Sequence, residues 1–144
     1  MPTASTLSPD AYLIQHRPDL GLLVLRWLRP QSLYETQESY QQLLLLARQH
    51  TCAHWLLDGR RDGPLDVYTI HWLTQHFFPE AVRDLAPHPL CMAVLSSPAR
   101  LQQLADDTSV APVAHRALAP EQPYHTAVFL NEAEALAWLA TQPA

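Results

Sequence analysis

Lysine is absent from the sequence, and all nine basic residues that accompany its 14 aspartates and glutamates are arginines. The formal net charge is −5 at pH 7. A protein that binds nucleic acid generally needs a basic face to meet the phosphate backbone, so this composition argues against nucleic acid as a partner. Glycine is scarce as well, with three residues, and the chain has neither a glycine-rich phosphate loop nor the Gly-x-Ser-x-Gly motif of serine hydrolases.

Cysteines and long apolar runs are also rare. Cys52 and Cys91 are the only cysteines, and two thiols do not make a disulfide framework. We predict that both are free and buried, in a reducing cytoplasm. The longest apolar runs, Leu22–Leu25 and Leu43–Ala47, are far shorter than the ~20 residues of a membrane-spanning helix, which predicts a protein without a membrane span.

The first ten residues are polar and contain neither the basic region nor the apolar region of a secretory signal. We predict that residues 1–10 form a flexible segment and that residues 11–141 form one domain. A chain of 144 residues, 48% of them hydrophobic, is long enough to bury a core without a disulfide or a metal ion.

Five segments have the pattern of β-strands. Residues 11–17 alternate between two faces, residues 18–21 have the composition of a turn, and residues 22–28 are apolar on both faces, which predicts a β-hairpin. Three further apolar segments are short and bounded by turn residues. They are predicted to be buried strands: Cys52–Asp58, Cys91–Leu95 and His125–Leu130.

Side chains that favour helix N-caps precede four predicted helices: Ser32, Asp66, Ser97 and Asn131. The first of these helices reaches about Gln49 on its apolar spacing. The second meets Pro79, which lacks an N–H and restricts the residue before it. We therefore predict that Phe78 leaves helical geometry and that a separate short helix begins at Pro79. Residues 106–124 show no clear period, and we predict a short strand at Val110–Ala114.

The order of these elements predicts the fold class. Strands that alternate with helices need crossover connections, which favour parallel pairing. We predict a single-domain α/β protein with a mixed sheet, an N-terminal β-hairpin, mainly parallel core strands and four to five helices.

Four motifs follow one another along the chain: Trp55-Leu-Leu-Asp58-Gly-Arg-Arg61, Trp72 with Phe77-Phe78-Pro79, Ala93-Val-Leu95 with Ser-Ser-Pro98, and Glu134-Ala-Leu-Ala-Trp-Leu139. Together with the N-terminal hairpin and the alternating elements, they resemble the STAS / SpoIIAA-like family, in particular its STAS/SEC14-like members. The resemblance covers residues 12–141 and implies a SpoIIAA-like fold.

The resemblance also bears on regulation. STAS domains that resemble anti-sigma-factor antagonists carry a phosphorylatable serine or threonine just after a central strand. The matching region here, Asp58–Gly63, contains no hydroxyl residue. The resemblance therefore implies a STAS-like module that lacks this phosphorylation switch.

Ligands of open α/β sheets bind beyond the carboxyl ends of the parallel strands. The candidate binding residues at those ends are Asp58, Arg60, Arg61, Ser96 and Ser97. Helix N-terminal amides favour an anion and arginines reinforce them, so we predict a small anionic ligand or an acidic segment of a partner. The alternative is that the arginines are solvated or paired with Asp62 and Asp66 and that the serines only cap helices.

Large aromatic side chains surround the predicted helix after Asp66. Trp72 and Phe78 are candidate anchors of a homodimer interface, because large aromatics dominate such contacts. The alternative places these side chains in the core.

The sequence lacks the residue spacings that are typical of a metal site or a catalytic centre. His71 and His76 are five residues apart and point in different directions on a helix, so we predict no metal site and no cofactor. Cys52 and Cys91 begin buried strands at the sheet edge opposite the candidate site, where a thiol behaves as a small apolar group. We therefore predict that the protein is not an enzyme.

Two functions follow from these observations. The first is a non-catalytic, STAS-like regulatory module in the cytoplasm that binds a protein partner or a small ligand. The alternative is a SEC14-like carrier of a small apolar ligand, or a small enzyme, and it requires an apolar cavity of roughly a few hundred Å³.

Overall fold

The computed structural model describes residues 10–144, which form five strands and five helices. The strands are β1 (Tyr12–Arg17), β2 (Leu22–Trp27), β3 (His54–Asp58), β4 (Cys91–Leu95) and β5 (His125–Phe129). The helices are α1 (Leu33–His50), α2, α3 (Pro98–Asp106), α4 (Ala111–Ala117) and α5 (Glu132–Ala140). Helix α2 is continuous and consists of Val67–Trp72, a π-helical turn at Leu73–Phe77, and Phe78–Leu85. The predicted flexible segment lies outside the described residues, except for Asp10.

The five strands form one mixed sheet in the order β1-β2-β3-β4-β5. Strands β1 and β2 pair in antiparallel orientation, whereas the pairs β2–β3, β3–β4 and β4–β5 are parallel. Gly21 has a φ of +68° in the turn between β1 and β2, a conformation that glycine adopts without the strain of a side chain. This architecture confirms the predicted α/β fold with an N-terminal hairpin and a mainly parallel core.

Helices cover both faces of the sheet. Leu23 and Leu25 of β2 belong to the cluster that packs against α1 and α2, whereas Leu22 and Val24 belong to the cluster that packs against α5. Successive side chains of a strand point to opposite faces, so a strand buried on both sides must be apolar throughout. The run that begins at Leu22 is apolar on both faces for this reason.

Helix α1 begins at the predicted capping box. The Ser32 hydroxyl accepts a hydrogen bond from the Glu35 N–H at 3.1 Å, and the Glu35 carboxylate accepts one from the Ser32 N–H at 3.0 Å. Arg29 donates to the same carboxylate at 2.8 Å. The hydrogen bonds from Arg29 and the Ser32 backbone lower the pKa of Glu35 to about 2. The chain therefore enters α1 with its first amides satisfied.

The predicted break at Pro79 is wrong. Phe78 is helical, with φ −63° and ψ −40°, and the helix continues through the proline. A π-helical turn precedes Pro79, and in it the Phe78 N–H donates to the Leu73 carbonyl oxygen, five residues back. Widening one turn accommodates a ring that an α-helical turn would clash with, so α2 keeps its axis instead of ending.

The predicted strand at Val110–Ala114 is also wrong, because residues 111–117 form α4. Asp107 accepts hydrogen bonds from the N–H groups of Ser109 and Val110 at 3.0 and 3.1 Å, which turns the chain into the helix. Val110 and Ala114 are buried against Ile70 of α2. A helix this short has too few residues to show a period in the sequence.

The ring of His16 in β1 stacks on that of His50 at the end of α1, with centroids 3.9 Å apart. Partial burial and the nearby His50 both lower the pKa of His16 below its usual 6.5. The folded state therefore binds fewer protons at this position than the unfolded chain. The stability that this provides is present above pH 6.5 and is lost as the pH falls through the lowered pKa.

We predict that the free energy of unfolding decreases between pH 7.5 and pH 5.5 and that His50→Gln weakens this dependence. Urea denaturation at the two pH values measures it. His88→Gln, at an exposed position, is the control and should leave the dependence as it is. An equal effect of the two variants would contradict the role of the stacked pair.

Candidate ligand-binding cavity

A cavity of about 250 Å³ lies between the sheet and the helices on the α1–α2 side. Its floor is formed by side chains from β2, β3, β4 and β5 and by Ser96, which follows β4. These residues are Trp27, Leu57, Met92, Val94, Ser96, Thr126 and Val128. The floor begins at Met92 and Thr126, each the second residue of its strand, and extends to the carboxyl-terminal edge of the sheet, where ligands of parallel α/β sheets bind.

Helices and one loop enclose the cavity from above. Tyr40 of α1, Ile70 of α2 and Ala117 of α4 line it, together with residues of the β3–α2 loop, which spans residues 59–66. Most of this lining is apolar. An apolar cavity of roughly 150 Å³ is large enough to hold benzene, so the space here suits a molecule of one or two rings.

The cavity arises because α4 packs against α2 on one side and against α3 on the other. Leu104 of α3 and Ala117 of α4 belong to the small apolar cluster around Ile70. This cluster stands beside the main core, and the space between the two clusters remains unfilled.

An ion pair between Asp62 and Arg100 belongs to the cavity wall. Arg100 Nη2 lies 2.9 Å from Asp62 Oδ2, and the two side chains are 13% and 12% exposed. Arg100 Nε also donates to the Gly63 carbonyl oxygen at 2.9 Å. A Cβ atom at Gly59 would lie 2.9 Å from Arg100 Nη1, so the close approach of the guanidinium requires glycine at that position.

Asp62 also fixes the loop to the start of α1. Its Oδ1 accepts hydrogen bonds from the backbone N–H of Gln31 at 3.0 Å and of Gly63 at 2.7 Å. Gln103 of α3 holds the loop at a second point, because its Oε1 accepts from the Leu65 N–H at 2.7 Å. The β3–α2 loop is therefore tied to two helices that are distant in sequence.

Two hydroxyl groups in the lining have no hydrogen-bond partner within residues 10–144. Tyr40 is 6% exposed and Ser96 is 5% exposed, and both residues line the cavity. Burial raises the pKa of the Tyr40 phenol, while the nearby Arg100 lowers it less. The phenol is therefore protonated at neutral pH and can donate as well as accept a hydrogen bond.

The predicted site residues do not come together, because the sheet separates them. Ser96 lines the cavity, and the Ser97 hydroxyl caps α3 by accepting from the Arg100 N–H at 3.2 Å. Asp58 lies on the opposite face with Arg60, and Arg61 is exposed without an ion-pair partner in the described part of the chain.

Asp58 is the buried centre of an ionic cluster under α5, whose other members are partly exposed to solvent. Arg26 Nη1 donates to Asp58 at 2.7 Å and to Glu132 of α5 at 2.7 Å, and Arg60 Nε donates to Asp58 at 2.9 Å. Burial by itself would raise the pKa of Asp58, but hydrogen bonds from Arg60 and Arg26 outweigh it and hold the pKa below the usual range. The Arg60 guanidinium is thus engaged by carboxylates, and its partners are not the Asp62 and Asp66 of the alternative interpretation.

The candidate interface residues pack with the core. Phe78 is 7% exposed, and Trp72 is partly buried. The ring centroid of Tyr40 lies 6.2 Å from that of Trp72 and 6.3 Å from that of Phe78. This placement agrees with the core alternative, and a homodimer at this surface stays a prediction.

Residues 10–144 contain no group of three or more histidine, cysteine, aspartate or glutamate residues arranged to hold a metal ion. Cys52 and Cys91 are free and buried, and burial raises the pKa of both thiols. Within the same residues, no helix is long and apolar enough to cross a membrane.

No protein-family model, no curated protein and no solved structure matches the chain. The resemblance to STAS domains therefore stays a prediction from the motifs and from the order of elements. The geometry of the cavity carries the functional argument.

We predict that Asp58→Asn lowers the free energy of unfolding by about 1–3 kcal/mol, because it weakens the charge-assisted hydrogen bonds that Arg26 and Arg60 donate to this buried side chain. Chemical denaturation measures the change. Asp19→Asn is the matched control, since Asp19 pairs with Arg17 on the exposed surface and its loss should have little effect. A stable Asp58→Asn protein that no longer binds a cavity ligand would instead make Asp58 a binding residue.

Proposed function

We propose that the protein is a non-catalytic binding module that holds a small, mainly apolar molecule in the cavity. The observation that carries this proposal is the cavity of about 250 Å³ at the carboxyl ends of the parallel strands. Its apolar lining and few polar groups are typical of small-molecule sites. Of the functions considered from the sequence, the proposal combines the non-catalytic module with the ligand carrier.

The side chains around the cavity support binding over catalysis. The titratable side chains with little exposure in the lining are Asp62, Arg100, Tyr40 and Tyr124. Asp62 and Arg100 form an ion pair, and burial raises the pKa of both tyrosines. The lining contains no histidine or cysteine, the side chains that most readily transfer a proton or act as a nucleophile near neutral pH.

The proposal includes membership of the STAS / SpoIIAA-like family and a cytoplasmic location. The mixed sheet with an N-terminal hairpin supports the first, and the two free thiols support the second. Within this family the protein would not use the phosphorylation switch, because the segment after β3 contains no hydroxyl residue from Gly59 to Pro64.

Native mass spectrometry of freshly purified protein tests the proposal directly. We expect a fraction of the protein to retain a small molecule that is released on unfolding. The same spectrum reports the number of subunits, and so tests the predicted homodimer as well.

We predict that Ala117→Leu lowers the affinity for indole about tenfold, because the larger side chain extends into the cavity. Titration followed by the amide NMR signals of Leu57 and Ser96 measures it. Ala105→Leu, at an exposed position on α3, is the matched control and should leave the affinity unchanged. Absence of indole-dependent shifts at the cavity in the unmodified protein would contradict the proposed function.

A further inference from the structure

We infer that the ligand is uncharged and carries a hydrogen-bonding group, such as a hydroxyl, an amide or a ring N–H, on an apolar body of one or two rings. This inference rests on the proposed function and specifies the class of ligand. It decides between the anionic and the apolar ligands that the sequence left open. Two features of the lining carry it: the charge balance and two buried hydroxyls without partners.

The charge balance argues against an ionic ligand. Arg100 is the one basic residue in the lining, and its guanidinium already lies 2.9 Å from the Asp62 carboxylate. An entering carboxylate or phosphate would lose its water, face a neutralised guanidinium and lie close to a second negative charge. Burying a charge without a free counter-charge is strongly unfavourable, so a neutral molecule fits better.

The other groups predicted to bind an anion add no positive charge to the cavity. Arg60 is bonded to Asp58 and Glu132 on the other face of the sheet. At the start of α3, the Ser97 hydroxyl accepts a hydrogen bond from the Arg100 N–H. Arg61 is exposed and is not among the residues that line the cavity.

The hydroxyls of Tyr40 and Ser96 supply the polar contacts. Both residues are buried and line the cavity, and neither hydroxyl has a hydrogen-bond partner among the described residues. Gln31 Oε1 also lacks a partner there, but it is shielded from solvent, so a molecule in the cavity does not reach it.

Hydroxyls without partners select for a ligand that bonds with them. A buried polar group without a partner is unfavourable, and a ligand that donates to or accepts from either hydroxyl recovers part of that cost. A ligand with a hydroxyl or an amide can bond with both hydroxyls, whereas a pure hydrocarbon can bond with neither.

Two pairs of probes of nearly equal size test the inference. Indole has a ring N–H where benzofuran has a ring oxygen. Benzamide is neutral, whereas benzoate carries a negative charge. We expect indole to bind about tenfold tighter than benzofuran and benzamide at least tenfold tighter than benzoate. NMR titration of the full chain, read at the amides of Leu57 and Ser96, measures all four affinities and shows where each probe binds.

Variants of two tyrosines in the lining test the hydroxyl separately. Tyr40→Phe removes a hydroxyl without a partner, so benzamide should bind about tenfold more weakly while the free energy of unfolding is unchanged or higher. Tyr124→Phe is the matched control. Its hydroxyl donates to the Ala117 carbonyl oxygen at 2.6 Å, so its loss should reduce stability and leave the affinity for benzamide within about twofold.

The outcomes separate the inference from the proposed function. Equal binding of indole and benzofuran at the cavity, or tighter binding of benzoate than of benzamide, would overturn the inference and leave the proposed function standing. If Tyr40→Phe and Tyr124→Phe bind benzamide with equal affinity, the Tyr40 hydroxyl takes no part in ligand recognition, and that part of the inference is overturned. Absence of binding by all four probes would overturn both proposals.

Discussion

Burial of both faces of the central strands is the constraint on which the structure depends. Trp55 and Leu57 of β3 pack toward α1 and α2, and Leu56 between them packs toward α5. A sheet covered on two sides needs helices long enough to span it, and α1 and α2 meet that need on one side. The shorter helix α4 packs against α2 and α3 instead, and the resulting gap is the cavity. The cavity and the packed core therefore both result from covering the two faces of the sheet with helices.

Much of the fold was predictable because it depends on local patterns. Short apolar runs between turn residues mark the strands, and the side chains of Ser32, Asp66, Ser97 and Asn131 all accept hydrogen bonds at helix N-termini as expected. The two errors have local causes that sequence rules treat poorly. No simple pattern of residue types marks the π-helical turn before Pro79, and α4 is too short to show a helical period.

The candidate site was predicted only in outline. The correct edge of the sheet follows from parallel topology, and Ser96 was placed there. Successive residues of a strand face opposite sides of the sheet. Asp58 therefore lies on the same side as Leu56, under α5, while Leu57 and Gly59 border the cavity on the other side. Gln31, Tyr40 and Arg100 were missed because they are brought together from separate elements, and no spacing in the sequence marks such a meeting.

The fastening of the β3–α2 loop has a consequence for exchange kinetics. This loop forms part of the cavity wall, and it is held mainly by polar contacts from Gln31, Arg100 and Gln103. Leu65 adds apolar packing against the Ile70 cluster, and the loop has few other apolar side chains, so the segment can detach in a sub-global opening while the five strands stay paired. The detachment of this loop then sets the residence time of a bound molecule. A variant can therefore change the residence time without changing the rate of global unfolding.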